Sequence, residues 1–152
     1  MSSEQPLGIR RAGVADLRLL APLFDEYRQF YHQPADPVLA QQYLASRLER
    51  DESVVFLAAS DTVGYGFVQL YPSFCSVAVR PLWILYDLFV TPAARKHGVA
   101  KKLMERGRRF AIETKAKGLI LETAVDNVAA QKLYERLGWK RDMSFDRYYL
   151  DV

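Results

Sequence analysis

The stretch that decides the fold runs from Asp87 to Ala100, DLFVTPAARKHGVA. It reads as the end of an apolar strand, a proline turn, a loop containing one glycine, and the first turn of a basic helix. A diphosphate needs several main-chain N–H groups aimed at one point, with little side-chain bulk in the way. The first turn of a helix supplies such donors together with a favourable dipole. Gly98 and Ala100 keep the approach open, and Arg95, Lys96 and Lys101 add positive charge. The spacing fits neither a GxGxxG dinucleotide fingerprint nor a GxxxxGK[ST] phosphate loop. Standing alone, a small residue at a helix start also fits plain packing.

Working outward, hydrophobic periodicity gives the rest of the chain. Residues 8–11 read as a first strand. Residues 14–31 carry Leu17, Leu20, Ala21, Phe24, Tyr27 and Tyr31 on one helical stripe. A second helix spans 38–50, after Pro34 and Pro37. Residues 53–60 and 63–71 form a hairpin around Asp61-Thr62, and 72–76 a loop. The strand 79–90 contains Pro81, so pairing is expected to begin after it. The helix 98–117 stops at Gly118, and an apolar strand covers 119–124. Asp126 or Asn127 caps a last helix to residue 137, ended by Gly138. Residues 139–141 and 145–151 read as closing strands.

Composition bounds the function. The 152 residues suit one domain, 1–152, with half the residues hydrophobic and a net charge of +3. The charge is uneven: residues 91–120 hold nine Lys or Arg against two acids, and the remaining 122 residues sum to −4. Such a patch reads either as a solvated helix face or as an attraction for a polyanion, nucleic acid or phosphorylated cofactor. The scarcity of basic residues elsewhere argues against nucleic acid. No apolar run reaches the ~18 residues of a membrane helix, and the first ten residues, MSSEQPLGIR, lack a signal-peptide pattern. The expectation is a cytoplasmic protein that engages no membrane. The lone Cys75 permits no internal disulfide, and two histidines, His32 and His97, are too few for a zinc set, so no metal is expected.

Two motifs then carry a resemblance. Arg95-x-x-Gly98-x-Ala100 after Leu88-Phe89-Val90 resembles the acetyl-CoA signature of the GNAT acetyltransferase superfamily. The segment from Asn127 through Tyr134 to Gly138 and Trp139 is similar to that family's Asn…Tyr…Gly-aromatic segment. The resemblance covers about residues 7–152. It implies an α/β fold with a mixed, twisted sheet of about seven strands and four helices, splayed between strands 4 and 5. It also implies transfer of an acetyl group from acetyl-CoA to a primary amine by direct attack in a ternary complex. The acceptor expected is a small-molecule amine, polyamine or amino-acid-like. A protein lysine or N-terminus is the alternative, and a non-catalytic acetyl-CoA-binding regulator the second alternative. The stretch Tyr27 to Tyr31, with Tyr86 to Val90, resembles the histone/polyamine subgroup, although Tyr86 stands where those enzymes carry a glutamate. The family often pairs through its last strands, so a homodimer is expected.

The resemblance also assigns site residues. Leu88, Phe89 and Val90 offer main-chain groups to the pantetheine arm. Arg95, Lys96, His97, Gly98, Val99 and Ala100 hold the diphosphate, although the residues themselves give His97 no evident part. Asn127, Ala129 and Ala130 meet the coenzyme from the other side, while Asn127 equally reads as a helix cap. Tyr134 faces the departing sulfur. A tyrosine at pKa ~10 is about 2 kcal/mol short of fully protonating a thiolate whose acid has pKa ~8.5, so hydrogen bonding suffices as its role. Asp87, an acid within an apolar strand, reads either as general base or as partner of a buried polar group. Glu26, Tyr27, Tyr31 and Tyr86, together with Asp25, offer charge and aromatic faces to a cationic amine, or simply form a solvated face and a packed stripe.

Overall fold

The computed structural model describes residues 7–152; residues 1–6, read above for a leader, lie outside it. Backbone contacts divide the chain into two units, with the boundary between Glu122 and Thr123.

The first unit is a five-stranded sheet in the order β1-β2-β3-β4-β5 with three helices. The strands are β1 (Gly8–Arg11), β2 (Val54–Ala59), β3 (Gly64–Cys75), β4 (Arg80–Val90) and β5 (Leu119–Ile120). The first four pair antiparallel, and β5 pairs parallel to β4. The helices are α1 (Leu17–Phe30), α2 (Pro37–Glu49) and α3 (Val99–Glu113). The stripe read from the sequence is the buried face of α1: Leu17, Leu20, Ala21 and Phe24 are all in the core. With α2 it covers one face of the sheet, against Val55, Leu57, Phe67 and Phe89. On the other face Phe110 of α3 meets Phe56 and Trp83, with ring centroids 5.6 and 4.9 Å apart.

Two boundaries differ from the sequence reading. Residues 72–75, expected as a loop, continue β3, and β4 pairs from Arg80 onward, through Pro81. Both prolines are tolerated because β3 has lost its β2 partner beyond Leu70, and the parallel pairing to β4 covers only Trp83 and Ile84. Proline costs little where the far side of a strand carries no ladder.

β5 is likewise shorter than the expected 119–124. Its two pairs, Trp83 with Leu119 and Ile84 with Ile120, end the parallel contact while β4 runs on to Val90.

The second unit holds α4 (Val128–Arg136). The closing strands expected at 139–141 and 145–151 do not form, so among the described residues five strands stand where about seven were expected. The segment 145–151 has the composition of a strand, but that propensity amounts to little without a neighbouring ladder. Phe145, Tyr148, Tyr149 and Leu150 are all exposed. Among the described residues no helix is long and apolar enough to cross a membrane.

Candidate active site

In the first unit two features converge on β4. One is the turn after Val90. The Thr91 amide donates to the Tyr65 carbonyl at 2.9 Å, and a 3-10 turn, Pro92–Ala94, reverses the chain. Arg95 then folds back: its Nε donates to the Val90 carbonyl at 3.0 Å, and its guanidinium lies 5.8 Å from the Phe89 ring centroid. Arg95 therefore braces the loop as well as charging it. Lys96 and Gly98 both take positive φ, +66° and +76°. Gly98 is the N-cap of α3, and a Cβ built there meets nothing within 4 Å. The need for glycine is thus one of backbone conformation. His97 is exposed, Val99 is buried beneath the turn and Ala100 is half-buried. The first turn of α3 presents amide donors that have no partner within the helix.

The second feature is a bulge. Gln69 pairs with Asp87, but the next residue, Leu70, pairs with Leu85, leaving Tyr86 out of register. Leu85 faces α3 beside Leu70, since Leu70 lies 3.8 Å from a Cβ built on Gly107 of that helix. The extra residue turns the strand over, so Asp87 faces α1 with Phe67 and Phe89. Asp87 is 3% exposed. Its carboxylate accepts hydrogen bonds from Gln69 Nε2 at 2.5 Å and from the Tyr27 hydroxyl. Burial pushes the Asp87 carboxyl above the usual carboxylate range, and these two donors oppose the rise.

Aromatic rings surround this carboxyl. Tyr27 meets Tyr31 edge to face, at 5.0 Å between centroids, and Tyr86 lies 5.3 Å from Tyr71. The Tyr71 and Tyr43 hydroxyls are 2.6 Å apart, and the Arg47 guanidinium sits over Tyr43 at 5.0 Å. Burial, with the Asp87 charge adding to it, drives the Tyr27 phenol far above its ordinary pKa. Tyr71 rises as well, through burial and its bond to Tyr43. Both phenols stay protonated.

Of the sequence candidates, Tyr27, Tyr31, Tyr86 and Asp87 come together, whereas Glu26 is exposed on α1. Asp25 is buried and structural, accepting the Asp36 amide at 2.9 Å and Gln29 Nε2 at 3.2 Å. Gln69, Tyr43 and Tyr71 were missed. Their only trace in the sequence is the polar Gln69 between the apolar Val68 and Leu70.

In the second unit, Asn127 caps α4 by accepting the Ala130 amide at 3.2 Å. At the far end the Trp139 amide donates to the Tyr134 carbonyl and the Gly138 amide to that of Glu135, with Gly138 at φ +90°. This is a Schellman cap, and its apolar contact is the Trp139 ring, 6.3 Å from that of Tyr134.

A comparison with known protein families joins these pieces. The model of the acetyltransferase (GNAT) family matches residues 19–139, which include β4, the Gly98 turn and α4. The chain belongs to that family. As a GNAT acetyltransferase it uses acetyl-CoA as co-substrate for N-acetyl transfer. It is 41% identical over 146 residues to the uncharacterized N-acetyltransferase YhfO of Bacillus subtilis (strain 168), covering 96% of this chain and 98% of that one. It is also 29% identical to the aminoglycoside N(6')-acetyltransferase type 1 of Salmonella typhimurium (strain LT2), over 61% of this chain and 66% of that relative. A solved structure of a probable acetyltransferase superposes with a TM-score of 0.90 at 41% identity, covering 95% of this chain and 97% of that one. Among the described residues of this GNAT protein, no group of three or more His, Cys, Asp or Glu side chains stands ready to hold a metal.

Proposed function

We propose that this acetyltransferase acts on a primary amine of a small cationic molecule, polyamine or amino-acid-like, by direct attack within a ternary complex. The observation that carries the reading is the buried Asp87 carboxyl with Tyr27 and Tyr71 close by, and with Tyr31 and Tyr86 packed on those two rings. An alkylammonium is attracted to aromatic faces and to a carboxylate. The Salmonella relative, by its name, acts on an aminoglycoside, itself a polycationic small molecule.

The chemistry follows from proton affinities. An amine of pKa ~10.4 is neutral at pH 7 at a cost of about 4.6 kcal/mol. Asp87, directly or through one water, takes the ammonium proton, and its raised pKa makes it a stronger base than an exposed aspartate. The freed lone pair attacks the thioester carbonyl carbon. The N–C bond forms, the C–S bond breaks, and the electron pair departs on sulfur. The second amine proton leaves the adduct for solvent. In this reading Tyr134 stabilises or protonates the departing thiolate, and Leu88, Phe89 and Val90 pair with the pantetheine arm along the edge that β5 leaves open beyond Ile84. Arg95, Lys96 and the amides of Gly98, Val99 and Ala100 hold the diphosphate. Asn127, Ala129 and Ala130 approach the coenzyme through the start of α4.

Thiol release from acetyl-CoA tests the reading against a panel of a polyamine, an aminoglycoside, free amino acids and a lysine peptide. Turnover of a small amine above the peptide is expected. Turnover of the peptide alone transfers the assignment to a protein acetyltransferase. Binding of acetyl-CoA without any turnover makes the protein a regulator. The same reading takes the protein as a cytoplasmic homodimer, and light scattering on the purified chain reads its oligomeric state.

A further inference from the structure

We propose that Gln69 is a positioning residue for acetyl transfer, its side-chain amide fixing the orientation and charge state of the Asp87 carboxylate. The inference deepens the reading of Asp87 as general base and rests on it.

Three observations support it. Gln69 and Asp87 are direct cross-strand partners at the last pair before the bulge, so the backbone itself brings the two side chains together. Gln69 is 0% exposed and lies between Val68 and Leu70, also at 0%. Its amide nitrogen donates to Asp87 Oδ2, yet its own oxygen, Oε1, is buried with no hydrogen-bond partner. An amide serving only to fill the core would cost less as an apolar residue of similar size, because an orphaned buried acceptor is destabilising. The donor is thus spent on the carboxylate while the acceptor is left bare.

The groups facing Asp87 show why one neutral donor matters. On the α1 side stand Tyr27, which donates to it, and Tyr31. From β3 comes Tyr71, tied to Tyr43 of α2 with Arg47 beyond, and from β4 comes Tyr86. The basic helix α3 covers the opposite face of the sheet. Of the cations on this face, Arg47 stands beyond two tyrosines and Arg95 lies over the Phe89 ring, 5.8 Å from its centroid, so the direct hydrogen bonds to Asp87 come from the amide of Gln69 and the phenol of Tyr27. A donor to the ionised form favours that form. Removing the amide therefore raises the carboxyl's proton affinity further, and the acidic limb of the rate profile moves to higher pH.

The test labels aspartate carboxyl carbons with 13C and follows their titration by NMR, the Asp87 signal being assigned by its loss in Asp87→Asn. Gln69→Met, with Gln69→Leu as a second variant of similar volume, is expected to raise the Asp87 midpoint by about one pH unit. The acidic limb of kcat/KM for the amine should move by the same amount, with KM for acetyl-CoA and the melting temperature held or improved. An unchanged midpoint in a folded variant overturns the inference. If the midpoint moves but Asp87→Asn keeps the acidic limb, the general-base reading falls and the control of Asp87 by Gln69 stands.

Discussion

The phenol of Tyr27 donates to the carboxylate of Asp87, joining the last turn of α1 to the bulged part of β4 across the sheet face. The carboxylate is shielded from water by the same rings that would receive a cation. Its proton affinity is raised by that shielding and held back by its two donors.

This has a signature in stability. Because the folded-state pKa of Asp87 lies above the ordinary aspartate value of 3.8, folding binds its proton more tightly than the unfolded chain does. The contribution is fully present below pH 3.8 and is lost as pH rises through the folded value. Asp87→Asn, which cannot ionise, should therefore be more stable than the parent at pH 7–8. The difference should shrink as pH falls toward 4. Urea unfolding at a series of pH values measures it, and equal stability at neutral pH would refute the cost assigned to the buried charge.

Tyr134→Phe should lower kcat on the order of a hundredfold while leaving KM for acetyl-CoA nearly unchanged. The phenyl ring keeps its place against Trp139 in the α4 cap, so the melting temperature and tryptophan fluorescence should match the parent. Undiminished turnover removes Tyr134 from the chemistry.

Gly98→Ala puts a Cβ into open space at φ +76°, so it meets no clash and is penalised through the backbone alone, by about 1 kcal/mol. KM for acetyl-CoA should rise several-fold, and Gly98→Asn should fall between alanine and the parent because asparagine tolerates this conformation better. Calorimetric titration with coenzyme A reads the same order, and identical affinities for all three would show that the turn does not hold the coenzyme.

At Gly66 the constraint is contact. A Cβ there would stand 2.6 Å from the Phe89 carbonyl oxygen and 3.2 Å from the Val90 Cα. Gly66→Ala should therefore destabilise the protein by about 1–3 kcal/mol and push β3 from the end of β4. Activity should fall with it, since that end leads into the Gly98 turn. A variant as stable and active as the parent would contradict the close approach of the two strands.

Local pattern made much of this legible. The apolar stripe of α1, the glycine at the head of α3 and the Asn127 cap are short-range features, set within a turn or two of chain, and they stand where the spacing placed them. The closing strands were misread for the opposite reason: a ladder depends on a distant partner, and alternation within 145–151 carries no information about whether one is present.

The sequence by itself determined the family, through two motifs whose order and spacing are local, and it marked Asp87 as an acid in an apolar strand. Which face of the sheet that acid occupies was decided only by the tertiary structure. Period-two alternation from Trp83 and Leu85 would send Asp87 toward α3, but the bulge at Tyr86 inverts the strand and delivers it to Gln69, Tyr27 and the tyrosines. Register is a relation between strands, set where β3 and β4 pair.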